Sequence, residues 1–250
     1  MILYFSGCGN SRYVAEQLAT KTQDTLKRID PMDASPAATI GENESIGVVC
    51  PVYAWAVPRL VERYIMRLTT NLTPKYCYLA CTCGDNVGRT PERFAKTLKQ
   101  KGWILNAAFS FIMPETYINL PRFKLDNKEG ESHKIEEVKR RIPKVAEKII
   151  NRTEETDVVR GKMAWMNTYL INPLFYKKII TDKKFRVTDS CIGCGTCEQV
   201  CQLQNITFAD GQPKWNGKCT NCMACYHNCP TNAIQFGKAT EGKGQYIFKD

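Results

Sequence analysis

The sequence lacks the features that mark several common classes of protein. No stretch approaches eighteen consecutive apolar residues, so no transmembrane segment is expected. The first residues lack the basic region of a secretory leader and already have the pattern of a strand, which predicts a cytoplasmic protein. No dinucleotide-binding fingerprint is present, and no constellation of acid, base and nucleophile stands out, so no catalytic residue is predicted.

Acidic residues are fewer than basic ones. The chain has 35 lysines and arginines against 25 aspartates and glutamates, a formal net charge of +10. The basic residues are spread along the chain without an aromatic-plus-basic RNA-binding motif, so nucleic acid is not an expected partner. We predict a solvated basic surface that favours an acidic protein partner. The oligomeric state is left open.

Cysteine, in contrast, is abundant. The chain has thirteen cysteines, and eight of them lie between Cys191 and Cys229. Disulfides do not persist in an intracellular, reducing compartment, so such a cluster indicates metal binding.

The first 150 residues alternate between strand-like and helix-like segments. Strands are predicted over 1–5, 24–30, 45–50, 75–82 and 107–113, and helices over 11–21, 58–68, 91–101 and 131–151. Pro143 interrupts the last helix and predicts a kink there. This alternation predicts an α/β fold, with a doubly wound parallel sheet that binds ligands at the carboxyl ends of its strands.

The chain divides into three predicted parts. An α/β domain over 1–152 is followed by an aromatic-rich connector over 153–184 and a small α+β cysteine-rich domain over 185–250. The connector has two interpretations, a segment that lies on a membrane surface and a segment that packs aromatic side chains between the two domains. We favour the second.

The eight clustered cysteines form two copies of one motif. Three cysteines at spacing two and two direct their sulfurs toward one centre, and a fourth, three residues further on, points to the neighbouring cluster. The spacing therefore predicts two 4Fe–4S clusters, one bound by Cys191, Cys194, Cys197 and Cys229, and the other by Cys219, Cys222, Cys225 and Cys201.

Zinc is the alternative occupant, but it takes four thiolates as two separated pairs and leaves the third close cysteine of each copy unexplained. Residues 185–236 resemble the bacterial-type two-cluster ferredoxins. Gln202 departs from that family, which often has proline there, and does not affect a ligand. His227 lies inside the second motif and is predicted at the surface rather than as a ligand, because the cysteines complete both sites.

A loop of small polar residues joins the first strand to the first helix. Backbone N–H groups at a helix start, supported by the helix dipole, favour a bound phosphate, and Gly7 and Gly9 permit a tight turn. Ser6, Asn10 and Ser11 add hydroxyl or amide donors. The alternative is that the loop only separates strand from helix.

Together with the loops after the third and fourth predicted strands, this loop resembles the flavin-binding loops of a flavodoxin. The whole chain is similar to the ferredoxin–flavodoxin fusion proteins of anaerobic bacteria. The resemblance implies a flavodoxin-like five-stranded sheet of order 2-1-3-4-5, FMN as cofactor, and electron transfer to a redox partner protein. It implies that Ser6, Gly7, Cys8, Gly9, Asn10 and Ser11 bind the FMN phosphate, that Tyr53, Ala54 and Trp55 flank the ring, and that Thr82, Cys83, Gly84 and Asp85 border its pyrimidine edge.

Two of these aromatic residues, Tyr53 and Trp55, could equally lie in the core or at an interface, and Tyr117 is a weaker candidate for covering the ring. Cys8 occupies the position of a family threonine, and a thiol is the poorer hydrogen-bond donor. Loss of one charge-assisted bond lowers affinity about ten- to a hundredfold, so we expect a weakened FMN site. The cysteines of predicted strands, Cys50, Cys77 and Cys81, are expected as small buried apolar side chains.

The sequence thus favours an electron-transfer protein that relays electrons between FMN and two 4Fe–4S clusters. Two alternatives stay open. One is an FMN-dependent reductase of a small acceptor, supplied with electrons by its own ferredoxin domain. The other is a ferredoxin on a flavodoxin-like scaffold that has lost FMN.

Overall fold

The computed structural model describes residues 1–41, 44–209 and 211–249. Its strands are β1 (Ile2–Tyr4), β2 (Leu26–Arg28), β3 (Ala37–Ala38), β4 (Ser45–Pro51), β5 (Thr69–Thr70), β6 (Tyr76–Cys83), β7 (Leu105–Ile112), β8 (Thr156–Asp157), β9 (Phe185–Val187), β10 (Ile206–Ala209), β11 (Gln212–Trp215) and β12 (Ile234–Phe236). Its helices are α1 (Asn10–Thr22), α2 (Arg59–Arg67), α3 (Thr90–Gln100), α4 (Lys128–Ile150), α5 (Ala164–Met166), α6 (Asn172–Lys178), α7 (Thr196–Gln199) and α8 (Ala224–His227), with a π-helical turn over Asn167–Ile171. Of the helices in these residues, none is both long and apolar enough to cross a membrane.

Six parallel strands form the main sheet, in the order β2-β1-β4-β6-β7-β8. The first five correspond to the predicted strands in the predicted order 2-1-3-4-5, which confirms the α/β fold class. The sixth strand, β8, is missed by the sequence analysis because it has only two residues, both polar. The equally short β3 and β5 pair with each other in a separate parallel pair.

Two apolar layers cover the faces of this sheet. The central strands β4 and β6 are buried along nearly their whole length, as parallel strands between two layers of helices should be. One layer contains the inner faces of α2 and α3, including Tyr64 and Phe94, and the other contains those of α1 and α4. Helix α4 remains one helix through Pro143 and buries Ile142 and Val145 beside it.

The cysteine-rich part has a small core of its own. Strand β9 pairs antiparallel with β12, and β10 with β11, as the predicted α+β character requires. Phe185 stacks on Trp215 with ring centroids 5.1 Å apart and contacts Phe236 edge-on at 5.0 Å. The Asp210–Gly211 pair in the sequence predicts a turn between β10 and β11, and Asp210 lies outside the described residues.

The last described residues return to the first domain. Tyr246 and Phe248 are buried in the same apolar layer as α1 and α4. Phe248 stacks on Tyr13 with centroids 4.3 Å apart, and its N–H donates to the carbonyl of Cys8 at 2.9 Å. The predicted parts of the chain therefore contact one another closely, and their limits stay a prediction.

Gly47 on β4 leaves room for a tyrosine of the neighbouring strand. It pairs with Tyr78 of β6, and a Cβ atom at Gly47 would overlap the buried ring of that tyrosine. Overpacking of this kind costs about 1–3 kcal/mol, so Gly47→Ala should lower the urea midpoint of unfolding. At Gly41 a Cβ atom would meet nothing within 4 Å, so Gly41→Ala should leave the midpoint unchanged. Equal midpoints for the two variants would contradict this account of the core.

Candidate cofactor-binding sites

The eight clustered cysteines surround two separate hollows. One, the outer hollow, is lined by Cys191, Cys194, Cys197 and Cys229. The other, the inner hollow, is lined by Cys201, Cys219, Cys222 and Cys225. Within the described residues, no group of three cysteine, histidine or acidic side chains could hold a single metal ion. The structure thus brings the cysteines together in the two predicted sets of four, and their role as ligands stays a prediction.

The local backbone explains why each motif surrounds a hollow. The residue before the second cysteine is left-handed in both copies, Gly193 with φ 67° and Asn221 with φ 55°. The residue before each short helix, Gly195 or Met223, is also left-handed. These two left-handed residues bend the backbone so that the three close cysteines of each copy line the same hollow.

Backbone N–H groups point at several of the sulfurs. Asn205 donates to Cys201 Sγ at 3.3 Å, and Ala233 donates to Cys229 Sγ at 3.2 Å. The fourth cysteine of each copy therefore accepts from the residue four positions further on, so the duplication extends to the hydrogen bonds. Hydrogen bonds to cluster sulfurs are among the terms that set the reduction potentials of iron–sulfur proteins.

The two hollows differ in their surroundings. At the outer hollow Cys194 is exposed, and its neighbour Ile192 is 66% exposed. Burial raises the pKa of Cys222 of the inner hollow to about 11 and that of Cys225 well above the usual thiol value, and it raises the pKa of Cys197 of the outer hollow to about 11 as well. A bound cation favours the thiolate form of such buried thiols, so the buried cysteines of both sets suit a metal cluster.

A larger cavity, of about 410 Å³, lies at the carboxyl ends of β1, β4 and β6. Its volume is in the usual range for small-molecule and cofactor sites, and its position is where sheets of this kind bind ligands. The predicted flavin residues that line it are Ser6, Gly7, Cys8, Asn10, Ser11, Tyr53, Ala54, Trp55, Thr82, Cys83, Gly84 and Asp85. Gly9 is the exception, and a Cβ atom at its φ of 98° would lie 2.9 Å from Phe248 Cβ.

Several polar side chains of the first loop already have partners. The Ser6 hydroxyl accepts from Gly9 N–H at 3.1 Å and keeps its own proton to donate, whereas Asn10 Nδ2 donates to the carbonyl of Pro114 at 2.9 Å. The Ser11 hydroxyl bonds that of Thr82 at 2.7 Å. The start of α1 has no side-chain cap, so its backbone N–H groups are the donors best placed for a phosphate.

The second loop, which follows β4 and contains Tyr53, Ala54 and Trp55, accepts hydrogen bonds from the connector. Ala54 and Trp55 have left-handed φ values of 48° and 61°. Asn172 Nδ2 donates to the carbonyls of Tyr53 and Ala54 at 3.1 and 2.9 Å, and the Thr168 hydroxyl donates to that of Trp55 at 3.0 Å. The sequence analysis missed these residues: an asparagine inside an aromatic-rich segment indicates a polar group that needs partners, but the sequence does not show that the partners are carbonyls of the second loop.

An acidic residue that the sequence analysis also missed lies against the third loop, because a Cβ atom at Gly84 would overlap Oε2 of Glu115. Glu115 lines the cavity, and its Oε1 accepts from the N–H groups of Thr116 and Tyr117 at 2.9 and 2.7 Å. Burial raises the pKa of Glu115, while these bonds and the Lys134 ammonium act in the opposite direction. The Lys134 ammonium also donates to the carbonyl of Gly84 at 3.1 Å, and this bond fixes the position of the third loop.

The walls of the cavity fit a flavin. Trp55, Tyr117 and Phe175 present aromatic surface, and the rings of the last two are 5.7 Å apart. Three residues that line the cavity carry a buried polar atom without a partner in the described residues: Tyr117 OH, Asn86 Oδ1 and Asn221 Nδ2. Buried polar atoms of this kind normally bond something, so the cavity suits a flat aromatic ligand with polar edges.

One wall of this cavity comes from the cysteine-rich domain. Thr220, Asn221 and Cys222 line it, and a Cβ atom at Gly7 would lie 3.0 Å from the carbonyl oxygen of Cys222. The Cys8 thiol donates to the same oxygen at 3.5 Å.

Two further residues of the cysteine-rich domain bond the first domain. Gln202, which stands where ferredoxins often have proline, donates through Nε2 to the carbonyl of Ser6. The prediction that His227 is a surface residue is wrong, because it is 3% exposed. Its Nδ1 accepts from Tyr246 N–H at 3.2 Å, so its Nε2 donates to the carbonyl of Thr116 at 2.9 Å. Burial lowers the pKa of His227 to about 4, so the ring is neutral at physiological pH.

Two family models match different parts of the chain. A family model described as a flavodoxin domain matches residues 1–129. The chain belongs to the flavodoxin-domain family. A second model, described as a 4Fe-4S dicluster domain, matches residues 190–234, so a ferredoxin-type domain follows the flavodoxin domain. This match supports iron–sulfur clusters over zinc.

Individual relatives each match part of the chain. An uncharacterized ferredoxin from Methanocaldococcus jannaschii is 37% identical over an alignment of 65 residues, and the match covers 23% of this chain and 74% of that protein. Among solved structures, one titled as a flavoprotein from Bacteroides uniformis is 14% identical, covering 44% of this chain and 88% of its own, with a TM-score of 0.37. An azoreductase from Bacillus anthracis is 12% identical, covering 58% and 99%, with a TM-score of 0.34.

Replacing Cys8 tests the phosphate end of the flavodoxin-domain cavity. The Cys8 thiol donates to the carbonyl of Cys222, whereas the hydroxyl of Cys8→Thr is a stronger donor that can turn from that carbonyl to a phosphate, so the variant should bind FMN about tenfold more tightly. Riboflavin lacks the phosphate, so its affinity should stay unchanged. Both dissociation constants can be measured by quenching of flavin fluorescence without oxygen. An equal change for FMN and riboflavin would contradict a phosphate site beside Cys8.

Proposed function

We propose that this protein is an electron-transfer flavo-iron–sulfur protein that relays electrons between FMN and two 4Fe–4S clusters. The observation that carries the proposal is the position of Cys222, which lines both the inner hollow and the flavodoxin-domain cavity. FMN bound in the cavity exchanges one or two electrons and each cluster exchanges one, so a protein with both converts between paired and single electrons.

The residues between the two sites keep them close. Gly7 has no side chain, and its Cα hydrogens are what separate the first loop from Cys222. The Cys8 thiol and the Gln202 amide add hydrogen bonds across the same boundary. A larger residue at position 7 would push the two domains apart at the point where the cofactor sites meet.

The difference in exposure between the two hollows suggests a direction for electron transfer. The outer hollow carries the exposed Cys194 and Ile192, and the inner hollow adjoins the cavity. We propose that a redox partner protein, favoured by the basic surface if it is acidic, exchanges electrons at the outer hollow. The eight thiols suit a reducing, cytoplasmic environment, in which they stay available for iron.

Cofactor analysis of protein purified without oxygen tests the proposal. We expect roughly eight iron, eight sulfide and one FMN per chain, the content of two cubane clusters and one flavin. Zinc in place of iron would contradict the proposal. Iron without flavin would support the alternative in which the flavodoxin domain is a scaffold that has lost FMN. Turnover of quinones or nitro compounds by the loaded protein would support the reductase alternative.

The order of the two clusters can be tested by removing one ligand from each. Cys194→Ser alters the outer set and Cys225→Ser the inner set, and each variant should lose roughly half of its iron. After stopped-flow mixing with reduced methyl viologen, bleaching of the flavin should slow much more in Cys225→Ser, because the inner site adjoins the cavity. Equal slowing in both variants would contradict the proposed order.

A further inference from the structure

Asn221 has an unusual position for a residue of an iron–sulfur motif. It lies between Cys219 and Cys222, yet it is one of the residues that line the flavodoxin-domain cavity, and it is 3% exposed. Its Oδ1 accepts from the N–H of Thr181 at 3.1 Å, which fixes the orientation of the amide. Its Nδ2 is then directed away from Thr181 and has no partner in the described residues.

The duplicated motif supplies an internal comparison. The residue equivalent to Asn221 in the first copy is Gly193, and both are left-handed, with φ values of 55° and 67°. Glycine adopts this conformation without steric cost, whereas any other residue is disfavoured there, asparagine least of all. Gly193 lies between two ligands of the outer hollow, with no part in the cavity wall, and Asn221 lies at the cavity. The non-glycine residue therefore occurs in the copy that adjoins the predicted flavin.

A buried amide with two N–H donors and no acceptor is costly unless a ligand supplies the acceptor. The isoalloxazine ring carries carbonyl oxygens and ring nitrogens that accept hydrogen bonds. We propose that Asn221 is a flavin-binding residue supplied by the ferredoxin-type domain, with its Nδ2 donating to an acceptor atom of the flavin ring. This inference rests on the proposed function, because it requires flavin in the cavity.

The proposal assigns Asn221 a second role beside the structural one. The bond from Thr181 to Oδ1 ties the motif to the connector, and the donation from Nδ2 recognises the ligand. Since the next residue, Cys222, is a predicted ligand of the inner cluster, the flavin and that cluster would share one short segment of backbone. Ring recognition and cluster binding would then depend on two consecutive residues, Asn221 and Cys222.

Two substitutions separate these roles. Asn221→Asp keeps an acceptor for Thr181 N–H but removes the donor to the ring, whereas Asn221→Gly removes both and copies the residue of the outer motif. Gly193→Asp adds the same charge beside the outer hollow and is the matched control. Riboflavin is the probe, because it carries no phosphate that a new carboxylate would repel. The readouts are its dissociation constant, the position of its visible absorption band and the iron content of each variant.

We expect both Asn221 variants to bind riboflavin about tenfold more weakly, with a shifted band and wild-type iron content, and Gly193→Asp to match the wild type. Wild-type affinity in Asn221→Asp with a loss only in Asn221→Gly would show a purely structural role and overturn the inference. If Asn221→Gly loses iron, Asn221→Asp decides alone. Wild-type affinity in both variants overturns the inference while the proposed function stands. A wild-type protein that binds no flavin overturns the proposed function itself.

Discussion

The backbone contact between Gly7 and Cys222 constrains the rest of this structure. A glycine of the first β–α loop and a cysteine of the second iron–sulfur motif approach so closely that a single added carbon would lie 3.0 Å from the carbonyl oxygen. The contact needs the left-handed backbone of the motif to bring Cys222 outward and the bond from Gln202 to hold the neighbouring strand end. Because of it, the flavodoxin domain and the ferredoxin-type domain both contribute to the wall of one cavity.

The sequence was sufficient for features that depend on short-range pattern. The duplicated cysteine spacing predicts which cysteines share a hollow, and long apolar segments predict the five main strands and their helices. These features come from residues close in sequence, where periodicity and turn chemistry carry the information. The two-residue strand β8 has no such pattern; it pairs with β7, and its Asp157 forms ion pairs with Arg141 and Lys148 of α4.

The contacts that complete the cavity could not be predicted, because their partners are far apart in sequence. Asn172 bonds carbonyls about 120 residues earlier, and Tyr246 donates to Asn10 Oδ1 at 3.0 Å. His227 was expected at the surface because nothing in its motif indicates that Thr116 covers it. The connector is a similar case. The left-handed conformations of Ala54 and Trp55 in the second loop each cost about 1–3 kcal/mol. The hydrogen bonds from Thr168 and Asn172 offset that strain.

The place of Phe248 has a consequence for biosynthesis. The first loop of the cavity follows β1, yet one side of that loop is covered by a residue synthesised almost 240 positions later. A nascent chain can form its parallel sheet early, but this side of the loop stays uncovered until Phe248 has left the ribosome. The finished shape of the loop therefore depends on correct return of the segment that carries Phe248.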